Sequence, residues 1–397
     1  MYSDLIVESG ADLAQDTLGT LLSILRDGQP RTRAELVQLT GLARSTVSQR
    51  LDALLFHRWI VPAEHAISSG GRPSTAFAFN PRARIVLAVD LGVTHARLAV
   101  TDLSGSIVAE RTCDVAIAQG PEPSLNWLLE TFTELLAGCG HRMADVCGAG
   151  VGLPGPVEHD TGRPVNPPLM PGWDGFSVAD WLGSRIGAPV LVDNDVNIMA
   201  LGEHSAAGPQ TDHLLFTKVG TGIGCGIISG GRLHRGARGA AGDIGHIRVP
   251  GSEVVCHCGN TGCLEAVAGG GAVAARLRAE ELEAADARDV VRLVRAGNTW
   301  AIRQVRQSGR DLGLVLASIV NFFNPTEIVI GGDLADAGEH LIAGIREAIY
   351  GRSLPLATQW LNIRASDLGA SAGVTGAASM IIEHVLTPES VEQSIRS

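Results

Sequence analysis

The sequence predicts a mixed α/β protein made of a small helical domain and a larger domain with two similar lobes. Its 397 residues are too many for one ordinary hydrophobic core. Helical patterns fill residues 11–66, and strand hairpins that alternate with helices fill the chain from Arg84 onward. With 45% hydrophobic and 18% charged residues, the composition is that of a globular protein. We therefore predict domains at 1–80 and 81–397, linked through residues 78–84.

The first domain is predicted to contain a helix-turn-helix. Leucines at helical spacing over residues 11–28 indicate its first helix. Thr32 and Glu35 have the spacing of a capping box, in which the two residues satisfy each other's free backbone amides at the start of the next helix. Gly41 separates that helix from a longer one that opens at Ala43–Ser45. Two helices joined by a tight glycine turn are typical of the helix-turn-helix motif.

A basic surface on this domain indicates DNA binding. The whole chain has a formal charge of −11, yet residues 31–84 hold eight arginines against three acidic residues. The residues at the start of a recognition helix face base edges in the major groove, and here they are Arg44, Ser45, Thr46, Ser48, Gln49 and Arg50. The alternative is a helical dimerisation or cap domain whose arginines are solvated.

Residues 60–80 predict two strands around a glycine-rich tip, which would form the wing of a winged helix. The tip, Ser69–Pro73, presents Arg72 on a slim loop that suits a narrow, A·T-rich minor groove. We therefore expect operator DNA with A/T-rich flanks. The operator should be palindromic because a two-fold dimer reads two equivalent half-sites.

The larger domain is predicted from its alternating elements. Three strands joined by short turns occupy residues 84–117 and precede a helix at 126–138, and three helices occupy 270–323. Segments 86–108 and 214–234 both follow the order strand, polar glycine turn, strand, glycine turn. This repetition predicts two similar lobes with a cleft between them.

Two glycine turns and one acidic cluster are candidates for the site in that cleft. Asp90–Thr94 and Gly220–Gly226 suit phosphate oxygens through their backbone amides, although either turn could serve only as a tight hairpin. The cluster VDNDVN follows a strand, where ligands bind in open α/β sheets, and one of its carboxylates could act as a general base on a sugar hydroxyl. Helix capping is the alternative for Asp193 and Asn197.

These motifs resemble those of the ROK family (repressors, open reading frames and sugar kinases). The resemblance rests on GTGIGCG at 220–226, GARGAAGDIGH at 236–246 and CHCGNTGCLE at 256–265, and it extends over almost the whole chain. It implies an actin-like ATPase (ribonuclease H-like) domain of two lobes. The N-terminal winged helix-turn-helix points to the family's transcription-factor branch.

The resemblance also implies roles for residues of the cleft. Asp195 matches the catalytic aspartate, and the implied sugar-binding residues are Asn194, Asp195, Asp243, His246 and Glu265, with Gly155 near the same pocket. The implied nucleotide-binding residues are Asp90, Gly92, Thr94, Thr221, Gly222, Gly224, Gly331 and Gly332. ATP and Mg²⁺ are implied as cofactors only if kinase activity is retained.

Two departures from the family's kinases favour sensing over phosphorylation. Val93 stands where the kinases carry a second glycine, and we expect its side chain to obstruct ATP. Asp243 stands where they carry glutamate, and its side chain is one methylene shorter. Because Asp195 is present, a sugar kinase with an attached DNA-binding domain stays the alternative.

A structural zinc site is predicted at His246, Cys256, Cys258 and Cys263, which have the spacing H-x9-C-x-C-x4-C. Three thiolates and one imidazole complete a tetrahedral Zn²⁺ shell and leave no position for water. The alternative is a group of core thiols. We interpret His257 as a bystander. We expect His246 to bind zinc through one ring nitrogen and sugar through the other.

We interpret the chain as a transcriptional repressor that a sugar or sugar phosphate releases or modulates, and we expect a homodimer or homotetramer. The sequence has no long apolar span and no signal peptide, so we expect a cytoplasmic protein without a membrane partner. The alternatives are the sugar kinase and a DNA-binding protein with an inactive effector pocket.

The 31 basic residues include one lysine, Lys218. We attribute the arginine excess to coding bias and assign Lys218 no role.

Overall fold

A computed structural model describes residues 18–63, 75–208 and 211–396 of the chain. Its N-terminal head contains three helices, namely α1 (Leu18–Leu25), α2 (Arg33–Thr40) and α3 (Arg44–Phe56). They pack beside a small antiparallel sheet of β1 (Arg31–Thr32), β2 (Ile60–Ala63) and β3 (Ala76–Phe79), in the order β1-β3-β2. The predicted wing tip with Arg72 lies outside the described residues.

The predicted capping box at the start of α2 is confirmed. The Glu35 amide donates to the Thr32 hydroxyl at 3.3 Å, and the Thr32 amide donates to the Glu35 carboxylate at 2.7 Å. Gly41 ends the helix in the left-handed region, at a φ of 70°, which glycine adopts without steric cost. The chain then turns into α3, and the two helices form the predicted helix-turn-helix.

The first lobe is built on a five-stranded sheet with the strand order β10-β7-β4-β5-β6. Its strands and the short hairpin β8–β9 are β4 (Ile85–Leu91), β5 (His95–Asp102), β6 (Ile107–Asp114), β7 (Val146–Leu153), β8 (Val157–Glu158), β9 (Arg163–Pro164) and β10 (Val190–Asn194). Its helices are α4 (Pro121–Gly138) and α5 (Val178–Ile186), and α6 (Asp195–Ala207) leads toward the second lobe.

The second lobe has a sheet with the strand order β13-β12-β11-β14-β15. The strands are β11 (His213–Val219), β12 (Ile223–Ser229), β13 (Arg232–Leu233), β14 (Glu327–Gly331) and β15 (Asn362–Ala365). The helices that follow β13 are α7 (Leu264–Ala268), α8 (Gly270–Ala279), α9 (Ala287–Arg295), α10 (Thr299–Phe323), α11 (Glu339–Arg352), α12 (Pro355–Thr358), α13 (Ala372–Val385) and α14 (Pro388–Arg396).

The two sheets have the same topology. In each, three consecutive strands form an antiparallel meander, and two later strands add in parallel beside the first strand of that meander. The repeated segments in the sequence are the meanders β4–β6 and β11–β13. The predicted architecture of two similar lobes is therefore confirmed.

Helices α6 and α13 cross at a very short distance between the lobes. A Cβ added at Gly376 would lie 1.6 Å from the Ile198 carbonyl oxygen, and one at Gly202 would lie 2.2 Å from the Ala372 carbonyl oxygen. Only glycine allows the two backbones to approach so closely. Since α6 also packs on β11 and β12 while α13 packs on β4 and β7, this pair connects both sheets.

The head packs on the C-terminal end of the chain. Leu21, Leu22 and Leu25 of α1 are fully buried in one core with Ile381 of α13 and Val391 of α14. This core also includes residues of β4 and of α3. The head and the larger domain therefore share a hydrophobic core, and the boundary at residue 80 stays a prediction. Across the described parts of the chain, no helix combines the length and the apolarity that crossing a bilayer requires.

Candidate functional site

The first candidate side chains lie where β10 passes into α6. Asn194 caps α6, because its side-chain oxygen accepts from the amides of Val196 at 2.9 Å and Asn197 at 3.3 Å. Its Nδ2 donates to the Gly155 carbonyl at 2.9 Å, so two implied sugar-binding residues are in direct contact. The alternative that Asp193 and Asn197 cap the helix is wrong, because Asn194 provides the cap of α6.

Asp193 instead joins the two lobes. Its buried carboxylate accepts from Arg235 Nε at 2.7 Å and from Asn197 Nδ2 at 2.8 Å, and His159 Nδ1 lies 3.4 Å away. Burial alone would raise the pKa of Asp193, but His159, Arg235 and Asn197 outweigh burial and lower the pKa. Because His159 follows β8 in the first lobe and Arg235 follows β13 in the second, the Asp193 carboxylate links the two lobes.

The implied catalytic residue, Asp195, is paired with a lysine. Nζ of Lys218, near the end of β11, donates to Asp195 Oδ2 at 2.5 Å, and the Val196 amide donates to Asp195 Oδ1 at 2.8 Å. Burial alone would lower the pKa of Lys218, but the carboxylates of Asp195 and Asp90 outweigh burial and raise the pKa. The ammonium is therefore charged at neutral pH.

Asp90, the second-last residue of β4, completes this group of charges. A Cβ at Gly373 of α13 would lie 2.1 Å from Asp90 Oδ2, so the carboxylate packs against the backbone of that helix. Burial raises the pKa of Asp90 to about 7; Lys218 opposes this effect and Asp195 adds to it. Asp90, Asp195 and Lys218 thus lie together where the two sheets face each other.

The first glycine turn closes a hairpin. The Gly92 amide donates to the His95 carbonyl at 2.8 Å and joins β4 to β5, which agrees with the hairpin alternative for this turn. Thr94 is exposed. The side chain of Val93 is half-buried and packs against the core of the first lobe. That Val93 obstructs ATP stays a prediction.

The glycines of the second turn have a packing role that the sequence does not reveal. The Gly220 amide donates to the Gly222 carbonyl at 3.0 Å. A Cβ at Gly222 would lie 2.2 Å from Glu265 Oε2, and one at Gly224 would lie 2.8 Å from a methyl group of Val196. The alternating glycines therefore let Glu265 and α6 approach β12.

The remaining implied nucleotide positions are Thr221, which is exposed, and the two glycines that end β14. A Cβ at Gly331 would lie 2.4 Å from the Phe216 ring. Gly332 has a φ of 85° and lies against the Val219 backbone, 2.8 Å from an added Cβ. Packing alone requires glycine at both positions.

The loop that carries the implied sugar-binding residues Asp243 and His246 packs against β12. The Cys225 amide donates to the Gly242 carbonyl at 2.9 Å, and a Cβ at Gly242 would lie 1.8 Å from the Cys225 carbonyl oxygen. This contact positions the following residues, of which Asp243 and His246 are exposed. Glu265 is half-buried in α7 beside this loop, and its amide donates to the carbonyl of Gly245 at 2.9 Å.

His246, Cys256, Cys258 and Cys263 form a compact group whose ligand atoms lie within 4.8 Å of one another. Cys256 Sγ lies 3.8 Å from His246 Nδ1, and Cys258 Sγ lies 3.6 Å from Cys263 Sγ. A hydrogen bond from the Asn260 backbone amide lowers the pKa of Cys258 to about 7, which favours the thiolate that a metal requires. Three sulfurs and one nitrogen fit the preferences of Zn²⁺, and His246 Nε2 stays available to a second partner.

Helix α3 carries the residues that the sequence predicts to contact DNA. Its buried residues are Val47, Leu51 and Leu54. The predicted base-contacting residues lie on the rest of its first two turns, where Arg44, Ser45 and Gln49 are exposed and Thr46, Ser48 and Arg50 are partly exposed. The head therefore combines a packed inner face with a polar outer face.

Comparison with known proteins places these features in one family. Residues 86–384 match the ROK family. A xylose repressor from Bacillus spizizenii is 26% identical over 367 residues, covering 92% of this chain and 94% of that protein. A glucokinase from Halalkalibacterium halodurans is 33% identical over 315 residues, covering 75% of this chain and 95% of that protein.

A crystal structure of a ROK family transcriptional regulator, a homologue of the Escherichia coli MLC protein, superposes on this chain with a TM-score of 0.79. The two are 26% identical, and the match covers 95% of this chain and 98% of that one. The similarity thus includes the N-terminal head as well as both lobes. The chain belongs to the ROK family.

Proposed function

We propose that this protein is a sugar-responsive transcriptional repressor that binds operator DNA through its N-terminal head. The observation that carries the proposal is the core that the head shares with α13 and α14, because it connects the helix-turn-helix to a helix that packs on the first lobe and crosses α6 between the lobes. The full-length similarity to a xylose repressor and to a ROK transcriptional regulator supports the same function.

The sugar would bind between the lobes, at Asn194, Asp195, Asp243, His246 and Glu265, with Gly155 held next to Asn194. A sugar that prefers the closed arrangement of the lobes would shift the population toward it and move β11 and β12 relative to the first lobe, at the crossing of α6 and α13. The zinc group at His246 would fix one wall of the pocket. Its donor set supports a structural metal site rather than a catalytic one.

The repressor would act as a homodimer or homotetramer on a palindromic operator. An apolar patch on the second lobe supports self-association: Phe322, Leu354, Leu356 and Trp360 are between 72% and 92% exposed. The Leu354 amide donates to Asn321 at 3.3 Å, which brings the end of α10 and the start of α12 together. Exposed patches of large apolar side chains are typical of interfaces between proteins.

An electrophoretic shift assay with genomic fragments and a sugar panel tests the proposal. We expect one or a few fragments to bind and a particular sugar to change their binding at least tenfold. Arg44→Ala should remove the shift, whereas Arg303→Ala, which deletes an exposed arginine of α10, should leave it unchanged. A wild-type protein that binds no fragment specifically would contradict the proposal.

The second candidate function is an ATP-dependent sugar kinase, which the similarity to a glucokinase and the presence of Asp195 favour. Incubation with ATP and a panel of hexoses tests it directly. Turnover at an enzymatic rate that Asp195→Ala abolishes would make the kinase the primary function. We expect no such turnover, because the Lys218 ammonium is bonded to Asp195 Oδ2 and competes with the sugar hydroxyl for this carboxylate.

A further inference from the structure

Lys218 is the one lysine among 397 residues, and it lies at the junction of the two lobes. Its position near the end of β11 comes directly before the second glycine turn. Its ammonium bonds Asp195 at 2.5 Å, and it is also attracted by Asp90 from the first lobe and by Asp333 from the second. A single positive charge therefore faces carboxylates from both lobes.

These carboxylates are the ligands that a hydrated Mg²⁺ would need. Mg²⁺ requires oxygen ligands in near-ideal octahedral geometry and is usually held by one or two carboxylates together with substrate phosphates. Here the lysine ammonium lies within hydrogen-bond distance of Asp195, whose second oxygen is bonded to the Val196 amide. The residues present therefore do not fit a magnesium–nucleotide complex.

We infer that Lys218 is a built-in cation that takes the place of a divalent metal between the lobes. The inference rests on the proposed function only in treating the cleft as a sugar-binding site. The Lys218 ammonium balances the charge of Asp195. A metal ion would therefore have to bind beside a positive charge and displace Lys218 from Asp195.

Manganese binding, followed by electron paramagnetic resonance, tests this inference with the metal alone as the probe. The zinc group is first filled, and Mn²⁺ is titrated into the wild type, Lys218→Met and Lys218→Arg. Lys218→Met should bind one Mn²⁺ at least tenfold more tightly than the wild type. Lys218→Arg, which keeps the charge, should behave as the wild type does.

Either of two results would overturn the inference: a wild type that binds Mn²⁺ as tightly as Lys218→Met, or a folded Lys218→Met that gains no Mn²⁺. If Lys218→Met does not fold, Lys218→Gln removes the same charge and should show the same gain in Mn²⁺ affinity over the wild type. Sugar response is measured separately by operator release. A protein that ignores all sugars would contradict the proposed function without changing the Mn²⁺ result.

Discussion

Zinc at the cysteine group should control the sugar response through one histidine. His246 directs Nδ1 toward Cys256, so a metal bound there would orient the ring and its second nitrogen. Cys258→Ser removes one of the four ligands. We expect it to lose zinc, measured by elemental analysis, and to weaken sugar binding by about 10-fold to 100-fold, the usual effect of disturbing the partners of a metal site.

Cys113→Ser is the matched control, because Cys113 lies on β6 outside the group and should be dispensable for zinc. A Cys258→Ser protein that lacks zinc but keeps full sugar affinity in calorimetry would show that the metal and the pocket are not coupled.

Asp90 should make folding stability fall as the pH rises toward neutrality. Its pKa is about 7 in the folded protein, against an ordinary value of 3.8, so the folded state holds the proton that the unfolded state releases. The contribution to stability is fully present below the unfolded pKa and is lost as the pH rises through the folded pKa, by at most about 1.4 kcal/mol per pH unit. Urea denaturation at pH 5, 6, 7 and 8 should show a steeper decline for the wild type than for Asp90→Asn.

Asp114→Asn serves as the control for this experiment, since Asp114 is an exposed carboxylate on β6. It should follow the wild-type profile. Parallel profiles for the wild type and Asp90→Asn would mean that Asp90 is not protonated in the folded protein near neutral pH.

At the scale of single residues, the sequence indicates which side chains are functional better than it indicates which groups they contact. The zinc ligands could be chosen from the sequence because all four lie within twenty residues and have a recognisable spacing. The pair Asp195–Lys218 could not, because its members come from different lobes and meet only when the sheets face each other. The sequence offered one signal for this pair, the presence of a single lysine, but composition alone does not say what that lysine contacts.

At the scale of elements, the crossing of α6 and α13 should tolerate no added methyl group. Gly376→Ala would place a Cβ 1.6 Å from the Ile198 carbonyl oxygen, so the helices would have to separate. We expect a loss of about 1–3 kcal/mol or more in the free energy of unfolding, as overpacked sites show. The urea midpoint measures this change.

The matched control is Gly351→Ala in α11, where the added Cβ has no neighbour within 4 Å. There alanine should stabilise the protein by about 0.4–1 kcal/mol because it restricts the unfolded chain and favours the helix. Equal stabilities for the Gly376→Ala and Gly351→Ala proteins would refute the close crossing.

The topology of the elements was predictable because the repeated strand and turn pattern is local in sequence. The packing role of Gly222, just before β12, and of Gly224, within it, could not be predicted from the sequence. Alternating glycines predict a phosphate-binding turn from the sequence, whereas Gly222 and Gly224 also allow Glu265 and Val196 to approach the strand. A glycine pattern cannot distinguish space for a ligand from space for another part of the chain.

At the scale of the whole molecule, the first and last helices of the described chain, α1 and α14, pack together. The Leu18 amide donates to the Glu392 carboxylate at 3.4 Å, and Arg26 bonds Glu383 at 2.6 Å. The sequence divides the chain into a head and a larger domain, but it gives no indication that α14 packs on α1, since nearly the whole chain separates them. This contact gives the larger domain a surface through which it can reposition the head.

Substitution of Val391 should therefore weaken DNA binding from the opposite end of the chain. Val391 is fully buried in the core that holds Leu21, Leu22 and Leu25 of the head, and a charge there would cost several kcal/mol if it stayed buried. In Val391→Asp we expect α14 to detach from α1 and operator affinity to fall at least tenfold in a shift assay. Sugar affinity in calorimetry should stay within about twofold of the wild type, because the implied sugar-binding residues lie outside this core.

Gln393→Asp introduces the same charge change at an exposed position two residues along α14 and should leave operator affinity unchanged. The comparison separates the packing of the head from the added negative charge near DNA. If Val391→Asp binds the operator as tightly as Gln393→Asp does, the head is held by its own core alone. A signal that passes through α13 and α14 would then need another route to the helix-turn-helix.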